Sequence, residues 1–106
     1  IGAIASIVHR VSGVLLVLGL APALYILERA LATPEGYAEI AAWFRTGVGR
    51  MVLLAAVWLF AQHLLSGIRA LLLDIDIGAA LRPARAMAWV TFVGSVLLTA
   101  WVAVAT

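Results

Sequence analysis

Three uncharged apolar runs dominate this chain: Val11–Leu27 (17 residues), Met51–Ile68 (18) and Ala86–Thr106 (21). About 20 residues at 1.5 Å each cross the hydrocarbon core of a bilayer. In lipid the backbone must satisfy its own N–H and C=O groups, so such runs fold as helices. With flanking apolar residues added, the spans are expected at approximately 4–31, 48–75 and 84–105. The composition agrees, being 66% hydrophobic with a mean hydropathy of +1.18. A soluble domain is only about 45–50% apolar. The expected fold class is an all-α membrane protein, one membrane-anchor domain over residues 1–106. A signal peptide cut near Ala21-Pro22-Ala23 is the rival for the first run. The apolar run continues past Ala23 and two more spans follow, so a span is the stronger reading.

The chain has seven arginines, no lysine, five acids and no cysteine. The pI near 9.9 reflects a net charge of only +2. The arginines are dispersed beside the apolar runs, which argues for a lipid bilayer as partner and against nucleic acid. Without cysteine there is no disulfide and no Cys-ligated metal or iron–sulfur site. Arg10, Arg69, Arg82 and Arg85 fall at one membrane face, and Arg29, Arg45 and Arg50 at the other. That bias, though small, favours a cytoplasmic N-terminus.

The first connection carries helix-start signals: Thr33 as N-cap, Pro34 as first helical residue and Glu35 in the first turn. Tyr37, Ile40, Ala41 and Phe44 follow at amphipathic spacing, so a short interfacial helix is expected between the first and second spans. Glu35 and Glu39 read as its solvated face. Asp76 to Gly78 mark the exit of the second span, and Pro83 sits near the start of the third. Pro22 is expected to bend the first helix. Thr91, Ser95 and Thr99, at i, i+4 and i+8, read as a packing face.

Against this apolar background, the stretch His63–Asp74 (HLLSGIRALLLD) stands out. Ionisable groups in a span are costly and by default suggest a site. At about 100° per residue, His63, Gly67, Ala70 and Asp74 share a stripe. An imidazole with a side-chain-free groove one turn along can seat a flat cofactor, although a lone histidine is more often simply packed or hydrogen-bonded. On the first helix, Ser6, His9, Arg10 and Gly13 also share a face. Headgroup anchoring explains Arg10, but it does not require Ser and Gly on the same stripe. The two helices are antiparallel, so both polar clusters meet at one membrane face. An acid near a helix C-terminus opposes the dipole, so Asp74 is expected to have a partner among Arg69, Arg82 and Arg10, or to be solvated.

These residues resemble the cytochrome b subunit of succinate dehydrogenase. Ser6-Ile7-Val8-His9-Arg10-Val11-Ser12-Gly13 is similar to that family's S-x-x-H-R-x-S/T-G signature. His63-x-x-x-Gly67-Ile68-Arg69-x-x-x-x-Asp74 resembles its second signature, H-x-x-x-G-x-R-H-x-x-x-D. Motif order and three-span layout also agree, and the likeness covers essentially the whole chain. Ala70 departs from it, standing where many members have a histidine.

The resemblance implies a membrane anchor of succinate:quinone oxidoreductase (respiratory complex II), not catalytic alone. Its partners would be an iron–sulfur subunit, a flavoprotein subunit and a second small anchor subunit. It implies His63 as an axial ligand to the iron of haem b, shared with the second anchor. Ser6 and Arg10 would line the pocket for ubiquinone or another quinone, and His9 and Arg10 would lie near the haem propionates. Gly13, Gly67 and Arg69 complete the expected haem pocket, with Asp74 as proton relay or structural ion pair. His9 is expected at the wrong depth to be a second iron ligand. The implied location is the bacterial inner membrane, with the mitochondrial inner membrane as alternative. Rival functions are a haem-free quinone anchor, a fumarate reductase anchor, or a small channel or structural membrane protein.

Overall fold

A computed structural model describes residues 1–77 and 80–106. Gly78, expected at the exit of the second span, lies outside them. The element order is α1 (Gly2–Ala32), α2 (Pro34–Arg45), α3 (Gly47–Asp74) and α4 (Leu81–Ala105). Helices α1, α3 and α4 are long and apolar enough to cross a membrane. The spans lie within a few residues of the sequence expectation, with the short helix α2 between the first two. This is a multi-pass helical membrane protein.

Local chemistry accounts for the helix ends. Thr33 Oγ1 accepts from the Gly36 N–H at 2.9 Å, and Pro34 takes the first helical position, where a missing N–H costs nothing. Thr46 caps α3 in the same way, accepting from the Gly49 N–H at 3.1 Å. At the far end of α3, Asp76 adopts a left-handed φ of 63°. The Ile77 N–H then reaches back to the Leu72 carbonyl and the Asp76 N–H to that of Leu73, which together form a Schellman stop. Helix α1 is continuous through Pro22.

Helix α3 is the centre of the packing, lying against both α4 and α1, with a smaller direct contact between α1 and α4. What lies buried is small or polar: Ala5, Ala61 and Ala88, with Ser12, Gln62, Ser66, Thr91 and Ser95. The large aliphatic side chains point outward, as with Val17 at 72% and Leu97 at 64% exposed. Lipid is as apolar as leucine, so burying leucine gains little, whereas small residues allow close approach and polar ones bond across helices. The Thr91–Ser95 packing face is as expected, and it meets Gln62. Gln62 Nε2 donates to Ser66 Oγ and Thr91 Oγ1, and Ser95 Oγ donates to Gln62 Oε1 at 2.6 Å. Arg50, at the start of α3, bonds the Ala103 carbonyl, which fixes α3 and α4 as antiparallel.

Helix α2 turns Ile40, Ala41 and Phe44 inward, half-buried, and leaves Tyr37 exposed. Glu39 is not merely solvated, because Arg29 at the end of α1 pairs with it at 2.9 Å. The cause is local: α2 folds back beside the last turn of α1, so residues ten apart in sequence meet.

Candidate functional site

The site lies where the N-terminal half of α1 runs antiparallel to the C-terminal half of α3. Its register can be read from two glycines. A methyl group added at Gly13 would lie 2.9 Å from His63 Cε1, and one added at Gly67 would lie 3.7 Å from His9 Cε1. Each glycine thus accommodates the histidine ring of the opposite helix. As a result the rings of His9 and His63 stack, with centroids 4.3 Å apart and planes inclined by 13°.

The rings touch, yet the glycine pairing keeps the two backbones out of step: His9 stands opposite Gly67 and His63 opposite Gly13, about one turn apart along the helices. His9 is not placed to face His63 across a metal, because the two rings lie face to face in contact.

The Nδ1 of His63 is tied to α1. It lies 3.1 Å from Ser12 Oγ and 3.2 Å from the His9 carbonyl oxygen. Ser12 Oγ–H itself donates to that carbonyl at 2.9 Å. The Nε2 of His63 has no hydrogen-bond partner among the described residues. His63 borders an open groove of about 560 Å³, lined also by His9, Arg10, Gly13, Val14, Val17 and Leu18. That volume falls within the ordinary range of small-molecule sites. The walls are apolar apart from the two imidazoles and the Arg10 guanidinium. Among the described residues no three His, Asp or Glu side chains gather to hold a bare metal ion. The single imidazole suits a metal that brings its remaining ligands with it.

The expected site residues therefore divide. His9, Arg10, Gly13 and His63 come together at the groove, and Gly67 adjoins it through His9. Ser6 is on the same helix one turn earlier and exposed, outside the groove lining. Arg69 lies beyond the groove. A methyl at Gly2 would lie 3.5 Å from its Nη2, and Arg69 helps line a different groove, between α3 and α4, with Leu65, Met87 and Val90. Ala70 is exposed and contributes no polar atom. Asp74 is exposed at the end of α3, and the only ion pair among the described residues is Arg29–Glu39. Of the two expectations for Asp74, a partner or solvation, the described residues fit the second, with the carboxylate exposed and making no ion pair among them.

Two residues carry contacts that the motif reading gave no role. Ser12 is 1% exposed and bonds the His63 ring. Gln62 is fully buried beside His63, but faces α4 instead of α1. Gln62 is the only carboxamide side chain in the sequence. An isolated amide at that depth is itself a signal that a buried polar contact exists.

Over residues 1–102 the chain matches the family described as succinate dehydrogenase/fumarate reductase transmembrane subunit. Among known proteins it is similar to the succinate dehydrogenase cytochrome b556 subunit of Paracoccus denitrificans. The two are 32% identical over 99 residues, which cover 92% of this chain and 75% of that protein. The pairing of two polar motifs on antiparallel spans, the helical layout and this match agree, and the chain belongs to the succinate dehydrogenase/fumarate reductase transmembrane subunit family.

Proposed function

We propose that this chain is the haem- and quinone-binding anchor of a succinate:quinone oxidoreductase. It would attach a flavoprotein and iron–sulfur arm to a bacterial inner membrane, with its N-terminus on the cytoplasmic side. The observation that carries the haem reading is the state of His63. Its Nδ1 is engaged by a backbone carbonyl and a serine on α1, while Nε2 has no partner among the described residues and the ring borders an apolar groove. Metal-ligating histidines typically donate the other ring N–H to a carbonyl or similar acceptor. A haem b in the groove would supply one-electron transfer between the iron–sulfur arm and the quinone.

Gly13 leaves the space beside the ring free of a side chain. Arg10 at the groove offers a cation for a propionate. His9 Nδ1, at the groove, is buried without a partner among the described residues. Such an orphaned atom is costly in a dry site and favours a polar ligand group nearby. His9, stacked on His63, would not serve as a further ligand, so a second anchor subunit would have to supply one. Ser6 and Arg10, one turn apart, present a hydroxyl and a guanidinium to a quinone carbonyl. That oxygen gains negative charge on reduction, and both groups can donate to it. Asp74, exposed at the same end of the bundle, is assigned proton exchange with water and no structural pairing.

The test is a reduced-minus-oxidised spectrum of the intact complex. The wild type is expected to give a b-type α-band that His63→Ala abolishes. Arg10→Ala is expected to keep that band and to lower quinone reduction by about 100-fold, the scale for losing one charge-stabilising donor. A wild-type complex without the band would mean a haem-free anchor. An unchanged band in His63→Ala would remove His63 as ligand.

A further inference from the structure

Serine hydroxyls in membrane helices often bond back to a carbonyl of their own helix, and that contact alone has no functional meaning. Ser12 does more, because the same oxygen that donates to the His9 carbonyl also meets the His63 ring of another helix. Three polar atoms form a closed triangle: Ser12 Oγ, His63 Nδ1 and the His9 carbonyl oxygen, with sides of 2.9, 3.1 and 3.2 Å. The triangle is removed from solvent on the Ser12 side, where only 1% of the residue is exposed.

Proton bookkeeping decides how the triangle is bonded. The carbonyl has no hydrogen to give, and the hydroxyl has one. If Ser12 donated to Nδ1, the ring nitrogen would have no proton and would face the carbonyl lone pairs at 3.2 Å with nothing between them. If Ser12 donates to the carbonyl, Nδ1–H points between the two oxygens and both close approaches are attractive. The second arrangement leaves Nε2 with its lone pair, the tautomer that a metal ligand needs.

We propose that Ser12 is a positioning residue for His63. It holds the Nδ1–H tautomer, fixes the ring plane, and adds a second acceptor that raises the electron-donating power of Nε2. This inference rests on the haem reading of His63. A stronger nitrogen donor stabilises ferric over ferrous iron, so with a haem held by His63, Ser12 would lower its midpoint potential.

The test compares Ser12→Ala, Ser12→Cys and Ser12→Thr in the intact complex. Haem content, the midpoint potential from a redox titration and the low-spin ferric EPR signal are measured for each. Ser12→Ala is expected to raise the midpoint potential and shift the EPR signal. Ser12→Thr, which keeps the hydroxyl, is expected to restore both. These readouts would not move if Ser12 only packed the helices. Should Ser12→Ala lose its haem, Ser12→Cys decides, since sulfur fills the space but accepts weakly. An upward shift there supports the proposal. A wild-type or lowered potential in whichever of the two variants binds haem overturns it. Failure of the haem reading looks different: the wild-type complex would have no band, or the band would survive His63→Ala.

Discussion

His9 and His63 stand ring to ring, 4.3 Å between centroids and 13° from parallel, each seated beside a glycine of the other helix. That relationship defines the geometry of the groove and limits what each histidine can do.

Because the rings stack on one side, His9 is excluded as the opposing ligand of any metal held by His63. His9→Phe keeps a flat ring in contact with His63. It is expected to preserve a six-coordinate, low-spin haem, read by low-temperature EPR. Conversion to a high-spin, five-coordinate signal would show that His9 ligates, and the second-subunit argument would fall with it.

The two glycines are expected to differ in tolerance. At Gly13 an added methyl would sit 2.9 Å from His63 Cε1, so the ring must move off its Ser12 contact. Overpacking of this kind costs about 1–3 kcal/mol. Gly13→Ala is therefore expected to lower haem retention several-fold, measured as haem per purified complex during mild heating. At Gly67 the same methyl would be 3.7 Å from His9 Cε1, an ordinary contact. Gly67→Ala is expected to retain haem as the wild type does; equal losses in both variants would refute the assigned register.

The polar knot between α3 and α4 should respond asymmetrically. With Gln62→Leu, Thr91 and Ser95 keep acceptors on their own helix, the carbonyls of Ala88 and Phe92. Ser66 Oγ loses the Gln62 amide, but its hydroxyl can turn back to a carbonyl of its own helix, so the loss is set by interhelical bonds that average about 0.6 kcal/mol each in membranes. Ser95→Ala instead strands Gln62 Oε1 at zero exposure, where an unmet acceptor costs about 1–3 kcal/mol. Denaturation of the complex in mild detergent should rank Ser95→Ala as the less stable. The double variant should be no worse than Ser95→Ala alone, and strictly additive losses would argue against the pairing.

The amino-acid sequence by itself determined the spans, the Thr33–Pro34 helix start and the meeting of the two motif faces. Each depends on chemistry local in the chain: runs long enough to cross lipid, a cap within one turn, or a side-chain stripe every 3.6 residues. Tertiary structure alone decided that Ser12 joins His63 while Arg69 lies apart, that the His9 and His63 rings stack, and that Asp74 makes no ion pair among the described residues. It also decided that Gln62, adjacent to His63, serves α4 instead. The physical reason is the solvent. Helices that are apolar all round have no hydrophobic stripe to announce which face packs inward. Their rotation and register follow from where small residues admit a neighbour and where polar atoms find partners. Those matches, Gly13 with His63 and Gln62 with Ser95, exist only between helices, across 50 and 33 positions of sequence.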